Sequence, residues 1–427
     1  MFLHRRKNPS SQSEPPEGDP QRAGSYGWVV VFAGLLTTIG AHGFGRFAYS
    51  MINPVMIDGL DLSYTQVGNL ATGNFVGYLV LAIIGGFLAA RWGPRIVITL
   101  SLTVMGVTMI MTGTATSYRF ALIMRILTGL GNGGAFVPAM ALGAIWFPLK
   151  QRGLATGIVT AGIGIGFALS GLIVPPILVA YGGEGWRYCW YYLGIIVLAL
   201  AGVCYGLIRN RPQDPRPAPL RPETGNTGKK EKNRGRLHWE RVYRLGSVWH
   251  LGFVYFMFGF SYVIYINFFA TYLIKEIGWT SSQAGDLFSL LGLISIFCGL
   301  LWGKISDMIG RKTAAALVYL TLAVSYAIFA IWRSQGALYL SAILFGLCAW
   351  AIPTIMAAAA GDYMGPRLAP AGLGFVTLFF GIGQALGPAF GGLIADYRGS
   401  FTPAFLLAMS VSLVGSAGAL TLRKPGT

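Results

Sequence analysis

The sequence predicts an all-α membrane protein, with twelve transmembrane helices arranged as two pseudo-symmetric six-helix bundles. Three observations carry that expectation. First, hydrophobic residues make up 54% of the 427 positions and charged residues 11%, against about 25% charged in a typical soluble domain. So few charges cannot cover a water-facing surface, so most of the chain must meet lipid. Second, apolar runs of membrane-crossing length recur along the chain. Third, the first half of these runs resembles the second half. A soluble enzyme or a nucleic-acid-binding protein of ordinary build is excluded, although the net charge of +17 on its own would fit a nucleic-acid partner.

Twelve runs can be read directly: 23–45 (continuing past Arg46 to 57), 62–90, 96–118, 120–149, 153–183, 188–208, 245–274, 287–303, 313–332, 334–361, 368–395 and 399–422. Nearly all reach the ~20 residues that a helix needs to cross ~30 Å of hydrocarbon. The shortest, 287–303, extends back through Asp286 to Ser281. The chain's 60 glycines fall largely inside these runs, where small residues let helices approach closely. Residues 1–25 are polar and Pro-rich, with no apolar run before Tyr26. They read as a disordered cytoplasmic tail rather than a signal peptide. The segment 209–246 holds eleven Lys or Arg and separates a first bundle, 26–208, from a second, 247–422. Residues 423–427 form a short second tail.

The basic residues set an orientation. With the N-terminus in the cytoplasm, the tails and even-numbered loops carry 25 Lys or Arg and the odd-numbered loops carry five: Arg119, Arg187, Lys275, Arg333 and Arg398. The positive-inside rule then puts both termini in the cytoplasm, and the expected home is a cell membrane, in a bacterium the inner one. Cys189, Cys204, Cys298 and Cys348 all lie in apolar stretches with no CxxC pair, and read as small buried hydrophobes.

The two halves share an internal repeat. Leu62-Ser63-Tyr64-Thr65-Gln66-Val67-Gly68 aligns with Trp279-Thr280-Ser281-Ser282-Gln283-Ala284-Gly285, an offset of 217. Gly86 and Gly93 match Gly303 and Gly310 at that offset, and Pro138, Arg152 and Gly157 match Pro353, Arg367 and Gly372 at 215. Parallel repeats of this kind imply a pseudo-two-fold axis along the membrane normal, with a solute site near the midplane between the halves.

With these features in hand, the sequence resembles the major facilitator superfamily from Tyr26 to Leu422. Gly303-Lys304-Ile305-Ser306-Asp307-Met308-Ile309-Gly310-Arg311-Lys312 matches the family's loop pattern GxLaDrxGrk. Its twin runs from Gly86 to Arg95, with Ala90 where the pattern has Asp. Arg125-Ile126-Leu127-Thr128-Gly129-Leu130-Gly131 resembles RxxxGxG, and Gly383 to Gly392 resembles the glycine-proline hinge pattern. The opening Tyr26-Gly27-Trp28 is similar to the monocarboxylate and oxalate/formate branch. Gly43-Phe44-Gly45-Arg46-Phe47 and Leu62 to Gly68 are more similar to a poorly characterised bacterial branch. The resemblance implies the major facilitator fold and a gating role for Asp307, Gly310, Arg311, Gly93 and Arg95. It also implies that Asp307 ties its loop to a neighbouring helix start, where a carboxylate meets free amide donors and the helix dipole. For Arg125 it implies a structural and proton-linked role.

Polar residues inside the spans are the site candidates. Arg46 stands in the first span, where a cation costs at least ~2.5–3.5 kcal/mol at a helix centre and so must face protein or a watery cavity. His42, Arg46, Tyr49 and Asn53 share one face at α-helical spacing. Arg46 either holds an anion or pairs with carbonyls or an interhelix partner. His42 is a titrating candidate, with a hydrogen-bonded core histidine as the alternative. Arg125 and Asn132 share a face of the fourth span; Tyr262 and Tyr265, with Phe269, share one on the seventh. Trp350 and Gln384 complete the expected substrate-binding set. Gly129, Gly131 and Gly134 spell GxGxxG, yet inside an apolar helix this is glycine packing and no dinucleotide loop.

No Asp or Glu falls in the middle of a span, so a deep carboxylate relay is not expected. No HExxH, GxSxG, Walker or metal-ligand pattern occurs, and no catalytic residue, cofactor or metal is expected. The expected partners are a small-molecule substrate and the lipid bilayer, with no nucleic acid, and the expected unit is a monomer. The first reading is a secondary transporter of a small organic solute, an organic anion such as a carboxylate, by rocker-switch alternating access. The rival is an efflux carrier for apolar or aromatic compounds, favoured by an aromatic content of 13%. An intramembrane enzyme or receptor has no supporting constellation.

Overall fold

A computed structural model describes residues 20–210 and 246–422. The expected tails and linker otherwise lie outside the described residues. Among the described residues all regular structure is helical. Helix α1 joins Pro20–Thr38, a π-helical stretch Ile39–Phe47, and Ala48–Leu60. It is followed by α2 (Tyr64–Trp92), α3 (Pro94–Gly113), α4 (Tyr118–Trp146), α5 (Leu149–Tyr181) and α6 (Gly185–Leu207). The second half contains α7 (Gly246–Thr271, with a π turn Tyr272–Glu276), α8 (Ser281–Ile309), α9 (Arg311–Ile331), α10 (Gln335–Met364), α11 (Gly372–Arg398) and α12 (Thr402–Leu420). The fold is the expected twelve-helix, two-bundle membrane architecture. One boundary moves: α1 begins at Pro20, inside the expected tail, because a proline fits the first turn of a helix without losing a needed donor.

The repeat seen in the sequence is a repeat of caps and turns. Ser63 Oγ accepts from the Gln66 N–H (3.2 Å) while Gln66 Oε1 accepts from the Ser63 N–H (3.0 Å). Thr280 and Gln283 reproduce this reciprocal capping box at 3.2 and 3.0 Å, so α2 and α8 start identically. At their far ends Gly93 and Gly310 both take a positive φ, 85° and 86°, where a side chain would be strained. The halves meet through the same symmetry. A Cβ at Gly68 on α2 would stand 2.1 Å from the Pro388 carbonyl oxygen on α11, and one at Gly285 on α8 would stand 2.4 Å from that of Gly171 on α5.

Those contacts close one end of the interface only. Near the α1–α2 turn, Ser50 Oγ donates to the Ile266 carbonyl (2.5 Å), and Asn53 Nδ2 to that of Asn267 (2.9 Å). Further out, Lys275 Nζ pairs with Asp58 (2.5 Å). Asp396 on α11 accepts the free N–H groups of Tyr64 and Thr65 at the start of α2 (2.8 and 2.7 Å). Toward the opposite end the halves are separated by a space lined by Thr160 on α5, Thr354 on α10 and Thr377 on α11. The two bundles touch at the end holding the α1–α2 turn and diverge toward the end where α1 begins.

Candidate functional site

The floor of the divergence is built on the π-helical stretch of α1. Gly43 there packs backbone to backbone on Gly166, where a Cβ would meet the Gly166 Cα at 2.5 Å. Side chains from neighbouring helices bond its carbonyls: Asn132 Nδ2 to Ala41 (2.7 Å), Arg125 Nη1 to Gly45 (2.9 Å) and Ser170 Oγ to Gly43 (3.3 Å). A π turn is an uncommon winding that recurs at functional sites, and here it carries His42 and Arg46. On α10, helical winding lapses at Ala349-Trp350. Pro353 cannot donate to the carbonyl four residues back, that of Ala349, and the Trp350 N–H turns instead to Cys298 Sγ (3.0 Å).

Between the halves lies a cavity of about 320 Å³, within the usual range for small-molecule sites. His42, Arg46, Tyr78, Phe136, Tyr255, Tyr262, Trp350, Phe380 and Gln384 line it. Among the described residues Arg46 is the one full charge that lines it. Arg46 Nη1 lies 3.3 Å from His42 Nε2, and Nη2 donates to Gln384 Oε1 across the interface (3.2 Å). Gln384 Nε2 in turn donates to the Tyr262 hydroxyl. The guanidinium stands over Phe75 at 3.9 Å and Tyr78 at 4.8 Å from the ring centroids, a favourable placement for a cation removed from water. No carboxylate among the described residues pairs with Arg46.

Five of the ten expected substrate residues therefore face one cavity: His42, Arg46, Tyr262, Trp350 and Gln384. The other five do not. Tyr49 donates to the Val67 carbonyl (2.9 Å) and stacks on Trp190. Asn53 sits in the closed end, bonded to Asn267 and to Thr271 (2.5 Å). These two leave the face of His42 because that face assumes α spacing, and i→i+5 winding through Phe47 advances each residue by a smaller angle. Arg125 lies over Tyr49 and Trp190, at 4.6 and 5.1 Å from their centroids. Arg125 and Asn132 hold the π stretch from behind. Tyr265 hydrogen-bonds Ser341 (3.0 Å) and stacks on Phe345 inside the second bundle.

Among the loop residues, Asp307 departs from the contact expected of it. Among the described residues Asp307 bonds to no amide at a neighbouring helix start. Its Oδ1 pairs with Arg311 Nη1 (2.5 Å), one turn on, and Arg311 Nε also reaches Asp362 (3.1 Å). The bundles are apart at this end, so the i+4 guanidinium is the available donor. Gly310 caps the start of α9, and Gly93 makes the matching turn. Arg95 Nε donates to the Tyr205 carbonyl on α6 (2.8 Å). A carboxylate at a helix start does occur, but at the closed end, as Asp396. Sequence reading missed Asp396 because its partner lies 332 positions away. It also missed Tyr78, Tyr255 and Phe380. Asn74 and Tyr78, one turn apart on α2, and Tyr255 and Tyr262, two turns apart on α7, were the available signals.

A helical membrane fold with a solute-sized cavity between two repeats defines a transporter of small molecules. The chain belongs to the major facilitator family whose model is described as "Uncharacterised MFS-type transporter YbfB", which matches residues 38–420. It is 27% identical over 399 residues to the "Probable sulfoacetate transporter SauU" of Cupriavidus necator, covering 88% of this chain and 89% of that protein. It is 26% identical over 400 residues to the "Hexuronate transporter" of Bacillus subtilis, covering 89% and 91%. In fold it is similar to a bacterial homolog of the human lysosomal transporter Spinster, solved in an inward-facing, unoccupied conformation. The TM-score is 0.74 at 18% identity, over 96% of this chain and all of that one.

Proposed function

We propose that this chain is a secondary transporter of a small organic anion, such as a carboxylate, and that Arg46 holds the anionic group. The observation that carries the reading is the state of the Arg46 guanidinium. It is buried at the floor of the cavity, and its bonded neighbours are an imidazole and an amide. A buried cation without a counter-ion is costly, and an anionic solute supplies the counter-ion on binding. A guanidinium also matches a carboxylate bidentately. The relatives named for sulfoacetate and hexuronate are named for anions, which supports the same class. The aromatic walls suit the organic body of such a solute. They also favour the second reading, outward movement of an uncharged aromatic compound. We take the monomer as the transporting unit.

The charge bias of the loops puts the open end of the cavity in the cytoplasm, which makes this arrangement inward-facing. Alternation then means rocking of the bundles about the α2–α11 and α5–α8 glycine contacts. The class of solute is tested by counterflow in proteoliposomes. Small carboxylates and sulfonates should exchange, and uncharged aromatic compounds should not compete; the reverse pattern overturns the anion reading. Orientation is tested with an impermeant maleimide on intact cells. The native cysteines are buried, and Gly183 and Gly153 both have open space for a side chain. Gly183→Cys should label and Gly153→Cys should not; the opposite result inverts the topology.

A further inference from the structure

Beneath the cavity floor, on the far side of Arg46, lies a second and much smaller chamber of about 20 Å³. A space of that size holds one water-sized occupant. Its wall includes Arg46, Arg125 and Asn74 from the first bundle and Asn267 from the second. All four are more than nine-tenths buried. Each also keeps a polar atom with no hydrogen-bond partner: Arg46 Nε, Arg125 Nε, Asn267 Nδ2 and Asn74 Oδ1. Three of these four are donors. Two guanidinium groups thus border one chamber, and no carboxylate among the described residues pairs with either.

We infer that this chamber is a halide site, holding a single chloride ion between Arg46 and Arg125. A water molecule would meet several of the orphaned donors, but it would leave two like charges on one small chamber in a low-dielectric interior. A monovalent anion accepts the same N–H groups and cancels one of the charges. The small space favours a monoatomic anion over a carboxylate or sulfate. The position gives the ion a structural consequence. Residues from both bundles surround it, directly under the bonds of Ser50 to Ile266 and of Asn53 to Asn267. An ion there stabilises the closed end. The inference goes beyond the substrate reading and holds whatever solute enters the larger cavity.

The test uses the full-length protein in detergent, with chloride or bromide as the probe. Chloride added to a sodium sulfate buffer, free of organic anions and at constant ionic strength, should raise the thermal midpoint saturably, as a ligand that binds only the folded state does. Crystals grown in sodium bromide should show a bromide anomalous peak between the two guanidinium groups. Asn267→Ala should weaken the apparent chloride affinity at least ten-fold. Asn267→Asp should supply an internal carboxylate, raise the midpoint without chloride and abolish the chloride response. No saturable halide response in wild type, or a chamber that holds water alone in bromide crystals, overturns the proposal. These readouts do not involve the transported solute, so failure of the anion-transport reading leaves them unaffected.

Discussion

The two bundles share a scaffold and divide the chemistry. In the first, His42, Arg46 and Arg125 are buried together around a π-helical stretch, and the carbonyls of that stretch are held by Arg125, Asn132 and Ser170. In the second, no Lys, Arg, Asp or Glu is buried among the described residues. It offers instead Tyr255, Tyr262, Trp350, Phe380 and Gln384 to the same cavity. Matching caps, turns and glycine contacts therefore do not imply matching roles. The first bundle supplies charge and a second layer that positions it. Both bundles supply aromatic walls, Tyr78 and Phe136 in the first, and the second adds one amide, Gln384, which binds Arg46 through its oxygen and Tyr262 through its nitrogen.

Substitutions can break this division. The largest loss of stability should come from Arg125→Gln. The variant removes a charged donor to the Gly45 carbonyl and a cation seated over Tyr49 and Trp190. A hydrogen bond from a charged group contributes about 1.5–3 kcal/mol, so a thermal melt in detergent should fall by several degrees. An unchanged melt removes the supporting role assigned to Arg125. Asn132→Ala comes next. It deletes the bond to the Ala41 carbonyl, and buried side-chain bonds in membrane proteins average about 0.6 kcal/mol. A modest loss of stability should accompany weaker solute affinity, because the turn bearing His42 and Arg46 loosens. Weakened affinity together with an intact melt places Asn132 in the site itself.

In the second bundle the effects should be smaller. Tyr262→Phe removes the acceptor of the Gln384 amide at a cost of about 1 kcal/mol, which is roughly five-fold in affinity. An effect as large as that of Arg46→Gln would erase the contrast between the bundles. Smallest of all, Asp307→Asn should leave thermal stability within about 0.5 kcal/mol, since exposed ion pairs contribute little. A large loss would mean that Asp307 makes a contact beyond Arg311.

Lipid makes much of this fold legible in sequence, because every span must be apolar and every turn needs its own cap. Ser63 with Gln66 and Thr280 with Gln283 mark two helix starts and the repeat at once. Arg46 and His42 stand out because a membrane tolerates few such residues. Tyr49 and Asn53 went astray because α periodicity was extended through a π segment, and nothing local in Ile39–Phe47 except its glycines signals the wider turn. Tyr265 could not be separated from Tyr262 on sequence grounds, since α7 is apolar on every side and offers no polar face to orient it. The link from Asp396 to Tyr64 and Thr65 is a long-range pairing that spacing along the chain does not encode.

Whether Arg46 reads the charge of the solute can be measured directly. Wild type and Arg46→Gln are titrated with a transported carboxylate and with its uncharged amide, and ligand-dependent thermal stabilisation is read for each pair. Wild type should be stabilised by the carboxylate and not by the amide, and Arg46→Gln, still folded, should lose the carboxylate response. Equal stabilisation of both proteins by the carboxylate would contradict the role given to Arg46.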